Sequence, residues 1–217
     1  MHSNYNPDIL KIMPGKLKRV VEVGCSSGAL AKAYTSINPE CIYTGVEVDP
    51  DFAAVAKTSC NEVICGNIES LAEEIFLQLF PSDCWIFGDT LEHLYDPWAL
   101  LQRIKPQLSP GAQIIACIPN AQHWSIQASL NSGLFRYQDQ GLMDRTHIRW
   151  FTRTTMIELF ESTGFKIIEG FSRVFDEPAR ENILPSIRAM ALAIGADPEQ
   201  AVNDAIPLQW VIKAIPV

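Results

Sequence analysis

Apolar and polar positions along this chain alternate in blocks. Short apolar runs of strand length, at residues 18–24, 41–48, 62–66, 83–88 and 112–118, are separated by stretches with helical spacing at 29–37, from Pro50 onward, at 70–80 and at 97–108. Pro81 stops the third of these helical stretches and Pro110-Gly111 follows the fourth. A run that is apolar throughout fits a strand covered on both faces. Five such runs alternating with helices predict an α/β fold: a Rossmann-like parallel sheet with helices on both faces and right-handed crossovers. In such sheets ligands bind beyond the carboxyl ends of the strands, so chemistry is sought there.

After the fifth run the rhythm changes. Residues 120–151 carry aromatics, glutamine, arginine and histidine without a clean period. Thr152 then reads as the N-cap of a helix ending at Gly164, with Met156, Leu159 and Phe160 as its buried stripe. A sixth strand is expected over 165–175, a helix around 183–194, and a terminal antiparallel strand over 209–215. The stretch 176–206 is too long for a hairpin connection and reads as an added helical cap or an oligomer contact, with a homodimer as the simplest form. The whole of 1–217 reads as one domain.

Composition narrows the partners. A formal charge of −8 argues against nucleic acid or an anionic membrane, which would need a basic face. Six cysteines at 25, 41, 60, 65, 84 and 117 form no Cys-x-x-Cys pair, which favours a reducing cytoplasm over a disulfide framework. The start does not read as a signal peptide, His2 reads as part of a loose terminus, and no apolar run is long enough to span a bilayer.

The richest stretch is Glu22-Val23-Gly24-Cys25-Ser26-Ser27-Gly28. A buried strand runs into a tight turn that opens a helix, and glycine lets a ligand approach the main chain closely. A dinucleotide site would want a bare glycine where Ser26 stands. Glu22 would also repel a pyrophosphate, whereas it suits a cationic ligand. The pattern resembles the first motif of the class I S-adenosylmethionine-dependent methyltransferases, Glu/Asp-x-Gly-x-Gly-x-Gly, with Ser26 in place of the middle glycine. The resemblance covers almost the whole chain. It implies cofactor contacts from Glu22, Gly24, Cys25, Ser26 and Gly28, and a ribose contact from Glu47 beside Val48 at the end of the second strand. Asn67 stands where the family has an aspartate that meets the adenine amino group, and Ile68 would pack on the adenine face.

The fourth strand ends in Asp89-Thr90-Leu91-Glu92-His93. In the family this segment supports the methionine part of the cofactor, which assigns Asp89 to the cofactor and His93 to the acceptor. Its spacing is also similar to the metal-binding Glu-x-x-Glu-His of quinone and small-RNA methyltransferases. The shorter aspartate and the small ligand set favour support of the cofactor pocket, with no metal assigned.

Residues 141–152 resemble a segment of methyltransferases associated with bacterial polysaccharide and glycan biosynthesis, which makes 120–151 the acceptor side. His147 is the candidate base, since an imidazole suits that task at neutral pH. Asp144 is its partner or the base itself. Arg145 and Arg149 are candidates to hold an anionic acceptor group, and Trp124, Tyr137 and Trp150 to stack on a ring. The implied activity is methylation of a sugar or small-molecule hydroxyl. A quinone or phenol acceptor is the alternative. Two other classes stay open. An NAD-dependent oxidoreductase is disfavoured by Ser26 and the lack of a Tyr-x-x-x-Lys pair, and a non-catalytic cofactor-binding protein would need no acceptor pocket.

Overall fold

A computed structural model describes residues 5–217; His2 lies outside them. Seven strands form one sheet: β1 (Arg19–Val23), β2 (Ile42–Glu47), β3 (Glu62–Cys65), β4 (Cys84–Gly88), β5 (Gln113–Pro119), β6 (Phe165–Arg173) and β7 (Gln209–Pro216). The helices are α1 (Pro7–Ile12), α2 (Ala29–Ile37), α3 (Pro50–Ala56), α4 (Glu73–Leu77), α5 (Pro97–Ile104), α6 (Trp124–Asn131), α7 (Arg153–Ser162), α8 (Leu184–Ala193) and α9 (Pro198–Ala205). The order across the sheet is β3-β2-β1-β4-β5-β7-β6, with β1 to β5 parallel and β7 antiparallel to both neighbours. The expected architecture, including the antiparallel last strand, is the one found.

Alternate residues of each central strand feed two cores. Val21 and Val23 of β1, with Trp85 and Phe87 of β4, face α4, α5 and α7. Val20, Cys84, Ile86 and Cys117 face α1 and α2. Cysteine serves here as a small buried hydrophobe: Cys41, Cys84 and Cys117 are fully covered. Glu22 falls on the α1–α2 face, at the carboxyl end of its strand, where the core gives way to the site.

Four segments depart from the sequence expectations. The helix expected at 70–80 is a 3-10 turn at Ile68–Ser70, capped at its start by Asn67, followed by the short α4; Leu71 (ψ 134) and Ala72 (ψ 146) break the helical path between them. The stretch 176–206 holds two helices, α8 and α9, which pack on each other and leave Met190, Leu192 and Ile194 exposed. Two helices went unread. One is α6, inside the aperiodic segment. The other is α1, although Asn6-Pro7-Asp8 is a helix start: Asn6 Oδ1 accepts from the Asp8 N–H and proline takes the first turn.

Candidate functional site

The turn after β1 is held from all sides. Gly24 has φ +72, and a Cβ there would lie 2.8 Å from Thr90 Oγ1, which itself donates to the Val23 carbonyl. Gly28 caps α2 with φ +77, and a Cβ would meet the Ala56 main chain and Ser59 at 3.2 Å. Between them Ser26 adopts φ +49, a left-handed conformation uncommon for a residue with a side chain. What holds it there is Glu47, whose Oε2 accepts the Ser26 N–H at 2.7 Å while Oε1 accepts the Asp49 N–H. Cys25 turns its thiol onto Cys60 beneath the turn, over Gly45, which has no room for a Cβ.

Glu22 is 7% exposed and accepts a hydrogen bond from the Tyr43 hydroxyl at 2.9 Å. Burial pushes its carboxyl up from 4.5 to about 8, with the Tyr43 bond pulling the other way. A neighbouring cation would reverse that shift.

Two cavities flank the turn. One, of about 340 Å³, is bordered by Glu47, Val48, Asn67, Ile68 and Leu94. The other, of about 420 Å³, is bordered by Tyr5, Asn6, Glu22, Ser26 and Ala29. Gly24, Asp89 and His93 border both, so the two form one groove across the ends of β1, β2 and β4. Ser26 Oγ and Asn6 Nδ2, on residues of the second cavity, are buried without a hydrogen-bond partner. Orphaned polar atoms beside a carboxylate suit the amino-acid end of a ligand. The first cavity joins the Glu47 carboxylate to the apolar Val48 and Ile68. Asn67 Oδ1 is already used in part, accepting from the Glu69 N–H.

A third cavity, of about 220 Å³, opens on the far side of Asp89 and His93. Its walls are Glu92, Pro119, Leu142, Asp144, His147 and Gln209. Asp89 has φ +54 and sits at the end of β4, with its N–H on the Cys117 carbonyl. Burial raises its carboxyl pKa, and the Gln209 amide donates to it. Gln209 in turn accepts from Arg173, which pairs with Asp8 of α1 at 2.9 Å. This chain ties α1, β6 and β7 to the wall between the groove and the third cavity. None of its outer members was legible in the sequence, because each belongs to a different element.

His147 is 9% exposed, with Nδ1 on the Leu142 carbonyl at 3.1 Å. Burial, then the adjacent His93, lower its pKa from the ordinary value. Asp144 does not touch its ring nitrogens. Burial works against ionisation of Asp144, but the bonds from Thr146, N–H at 2.8 Å and hydroxyl at 2.6 Å, outweigh it and its pKa falls. Asp144 therefore shapes the loop, and the orienting partner of His147 is the Leu142 carbonyl.

The remaining predicted residues lie off this cavity. Trp124 donates to Glu177 at 3.1 Å, joining α6 to the segment before α8. Arg145 pairs with Asp139 on the surface at 2.6 Å. Arg149 spends its guanidinium on the Tyr95 carbonyl. Tyr137 is exposed and stacks edge-on with Phe135, which reaches Trp150, which reaches the His147 ring.

The model of a family described as a methyltransferase domain matches residues 4–169. No curated protein matches the chain. Among solved structures, an O-methyltransferase from neocarzinostatin biosynthesis, in complex with S-adenosylhomocysteine and 1,4-dihydroxy-2-naphthoic acid, aligns with TM-score 0.60 at 12% identity. That alignment covers 97% of this chain and 52% of the other, so the chain spans about half its length. An S-adenosylmethionine-dependent methyltransferase from Mesorhizobium loti aligns with TM-score 0.61 at 15% identity over 96% of this chain and 95% of that one. Magnesium protoporphyrin IX methyltransferase from Synechocystis, with bound S-adenosylhomocysteine, gives TM-score 0.59 at 11% identity over 95% and 77%. At such identities these structures establish a shared fold. Among the described residues no helix is long and apolar enough to cross a membrane.

Proposed function

From the premise that the chain belongs to the methyltransferase-domain family, we propose that it moves a methyl group from S-adenosylmethionine to an oxygen of a small, polar acceptor. One observation carries this reading. Asp89 and His93 form the wall shared by the strand-end groove and the third cavity, so a donor in one and an acceptor in the other meet there.

The groove fits the cofactor in its parts. Glu22, Asn6 and Ser26 serve the amino-acid end, Gly24 and Gly28 give the close main-chain approach, Glu47 takes the ribose hydroxyls, and Val48, Asn67 and Ile68 border the base. Bound there, S-adenosylmethionine supplies a methyl on a sulfonium, a good leaving group. The protein's task is then alignment, worth up to ~7–11 kcal/mol, and handling of the acceptor's proton. His147 is the group best placed to act on the acceptor hydroxyl: its Nδ1–H is engaged by Leu142, which leaves Nε2 unprotonated.

The third cavity is small and walled by carboxylates, imidazoles and an amide, which favours one hydroxyl-bearing ring, such as a sugar unit of a glycan. The aromatic series Tyr137, Phe135 and Trp150 beside it supports the alternative, a phenolic or quinone-like acceptor. Calorimetric titration with S-adenosylmethionine, S-adenosylhomocysteine and NAD tests the premise. Micromolar binding of the first two and none of the third is expected. Binding of NAD alone would overturn the reading. A transfer assay with labelled methyl groups over glycan and phenol panels then separates the two acceptor classes.

A further inference from the structure

Glu92 is anomalous. It sits on the 3-10 turn Leu91–His93, is 1% exposed, and neither carboxylate oxygen has a hydrogen-bond partner. Protonation does not resolve this, because the hydroxyl it creates would also lack an acceptor. An unpaired buried carboxyl is costly in either state. Its side chain faces two imidazoles: His147 Nε2 lies 3.9 Å from Glu92 Oε1, and one ligand atom from each of Glu92, His93 and His147 falls within a mutual 4.8 Å.

We infer that Glu92, His93 and His147 form a binding site for a first-row divalent transition cation such as zinc, at the inner end of the acceptor cavity. The imidazoles are set for this. His93 Nδ1 lies 3.1 Å from the Thr146 carbonyl and His147 Nδ1 3.1 Å from the Leu142 carbonyl. A carbonyl only accepts, so each Nδ1 carries a proton, and in the neutral ring it is Nε2 that offers the lone pair. Backbone carbonyls that fix the tautomer of a ligating histidine are the usual outer shell of a metal site. The two ligand-bearing segments are also joined main chain to main chain, with the Ile148 and Arg149 N–H groups both on the Glu92 carbonyl at 2.9 Å.

Two nitrogens and one carboxylate suit zinc or a neighbouring transition ion; magnesium and calcium prefer all-oxygen sets. Ligands ~2.1 Å from a tetrahedral ion stand ~3.4 Å apart, so the observed separations close by small side-chain rotations. Three protein ligands leave a position open toward the cavity. Resting on the proposed function, that position would take the acceptor oxygen; with the ion bound, the Nε2 of His147 would be a ligand, and the ion would take over its task by lowering the pKa of the acceptor hydroxyl. Asp89 and Asp144, which also border the cavity, add negative charge around the cation.

The test is titration of chelator-stripped full-length protein with Co²⁺, read by visible absorption and metal analysis, with S-adenosylhomocysteine binding measured in parallel. The expected result is one equivalent with the intense bands of a four- or five-coordinate ion. Glu92→Gln and His147→Ala should each weaken binding tenfold or more while leaving S-adenosylhomocysteine affinity unchanged. Should Glu92→Gln fail to fold, His147→Ala, at the cavity edge, carries the comparison. Lack of stoichiometric binding, Co²⁺ retained by both variants, or a thiolate charge-transfer band abolished by Cys65→Ser would each overturn the site. Metal binding without S-adenosylhomocysteine binding would leave the site standing and remove the cofactor reading instead.

Discussion

The groove proposed for the donor and the cavity proposed for the acceptor share a wall but are built on different terms. The groove is made of strand ends. Its shape follows from three turns whose residues are close in sequence to the strands that aim them, and Glu47 at the end of β2 braces Ser26 between Gly24 and Gly28. The acceptor side is made of loops. Its residues come from the turn after β4, from the end of β5, from the segment after α6 and from the start of β7, and they meet only when the chain is folded. A surface fixed by strand ends suits a ligand that is always the same, whereas a loop surface can change its acceptor without disturbing the sheet.

Substitutions sharpen the contrast. The largest effect is expected at His147. His147→Ala should lower kcat by ~10²–10⁴-fold with cofactor affinity intact, as read by single-turnover kinetics and calorimetry. Equal losses in both would break the separation of the two sides.

Glu22→Gln should weaken S-adenosylmethionine binding by ~10–100-fold, the range for losing a buried charged hydrogen bond. The raised carboxyl adds a pH signature. Since the ligand-free group titrates near 8, binding of an ammonium at neutral pH should release a proton, and affinity should rise between about pH 6 and 8. The same shift makes the folded, ligand-free protein bind more protons than the unfolded chain between 4.5 and about 8, so this group's contribution to stability is present below 4.5 and lost as pH passes 8. Glu22→Gln should therefore raise Tm at about pH 9 and not at about pH 4; thermal melts at both values check the sign.

Gly28→Ala should cost ~1–3 kcal/mol in denaturant unfolding, because φ +77 and the Ala56 main chain both oppose a Cβ. Arg145→Ala, whose ion pair is exposed, should change stability by less than ~0.5 kcal/mol and leave cofactor binding unaltered.

This division also explains what could be read beforehand. The sheet was legible because its central strands are covered on both faces and appear as unbroken apolar runs. The turn was legible because glycine and a carboxylate have a narrow set of uses at a strand end. Helix α6 was not: only Ile126 in it is buried, so it carries no stripe. Arg149 read as a free cation, yet the Tyr95 carbonyl takes it, a pairing across 54 positions that no local pattern carries. His147 was legible by type, while its partners Leu142, Glu92 and His93 were not. The isolation of Glu92 exists only in three dimensions.

The strand order has a consequence for synthesis. β6 leaves the ribosome before β7, yet β7 lies between it and β5. Until residues 209–216 emerge, β6 has no partner and the long apolar edge of β5 is uncovered. The first five strands can pair in order as they appear, but the last two must wait and join together. The nascent protein thus carries a sticky open sheet edge from the end of β6 at Arg173 until β7 is complete at Pro216, which is when a chaperone would matter most.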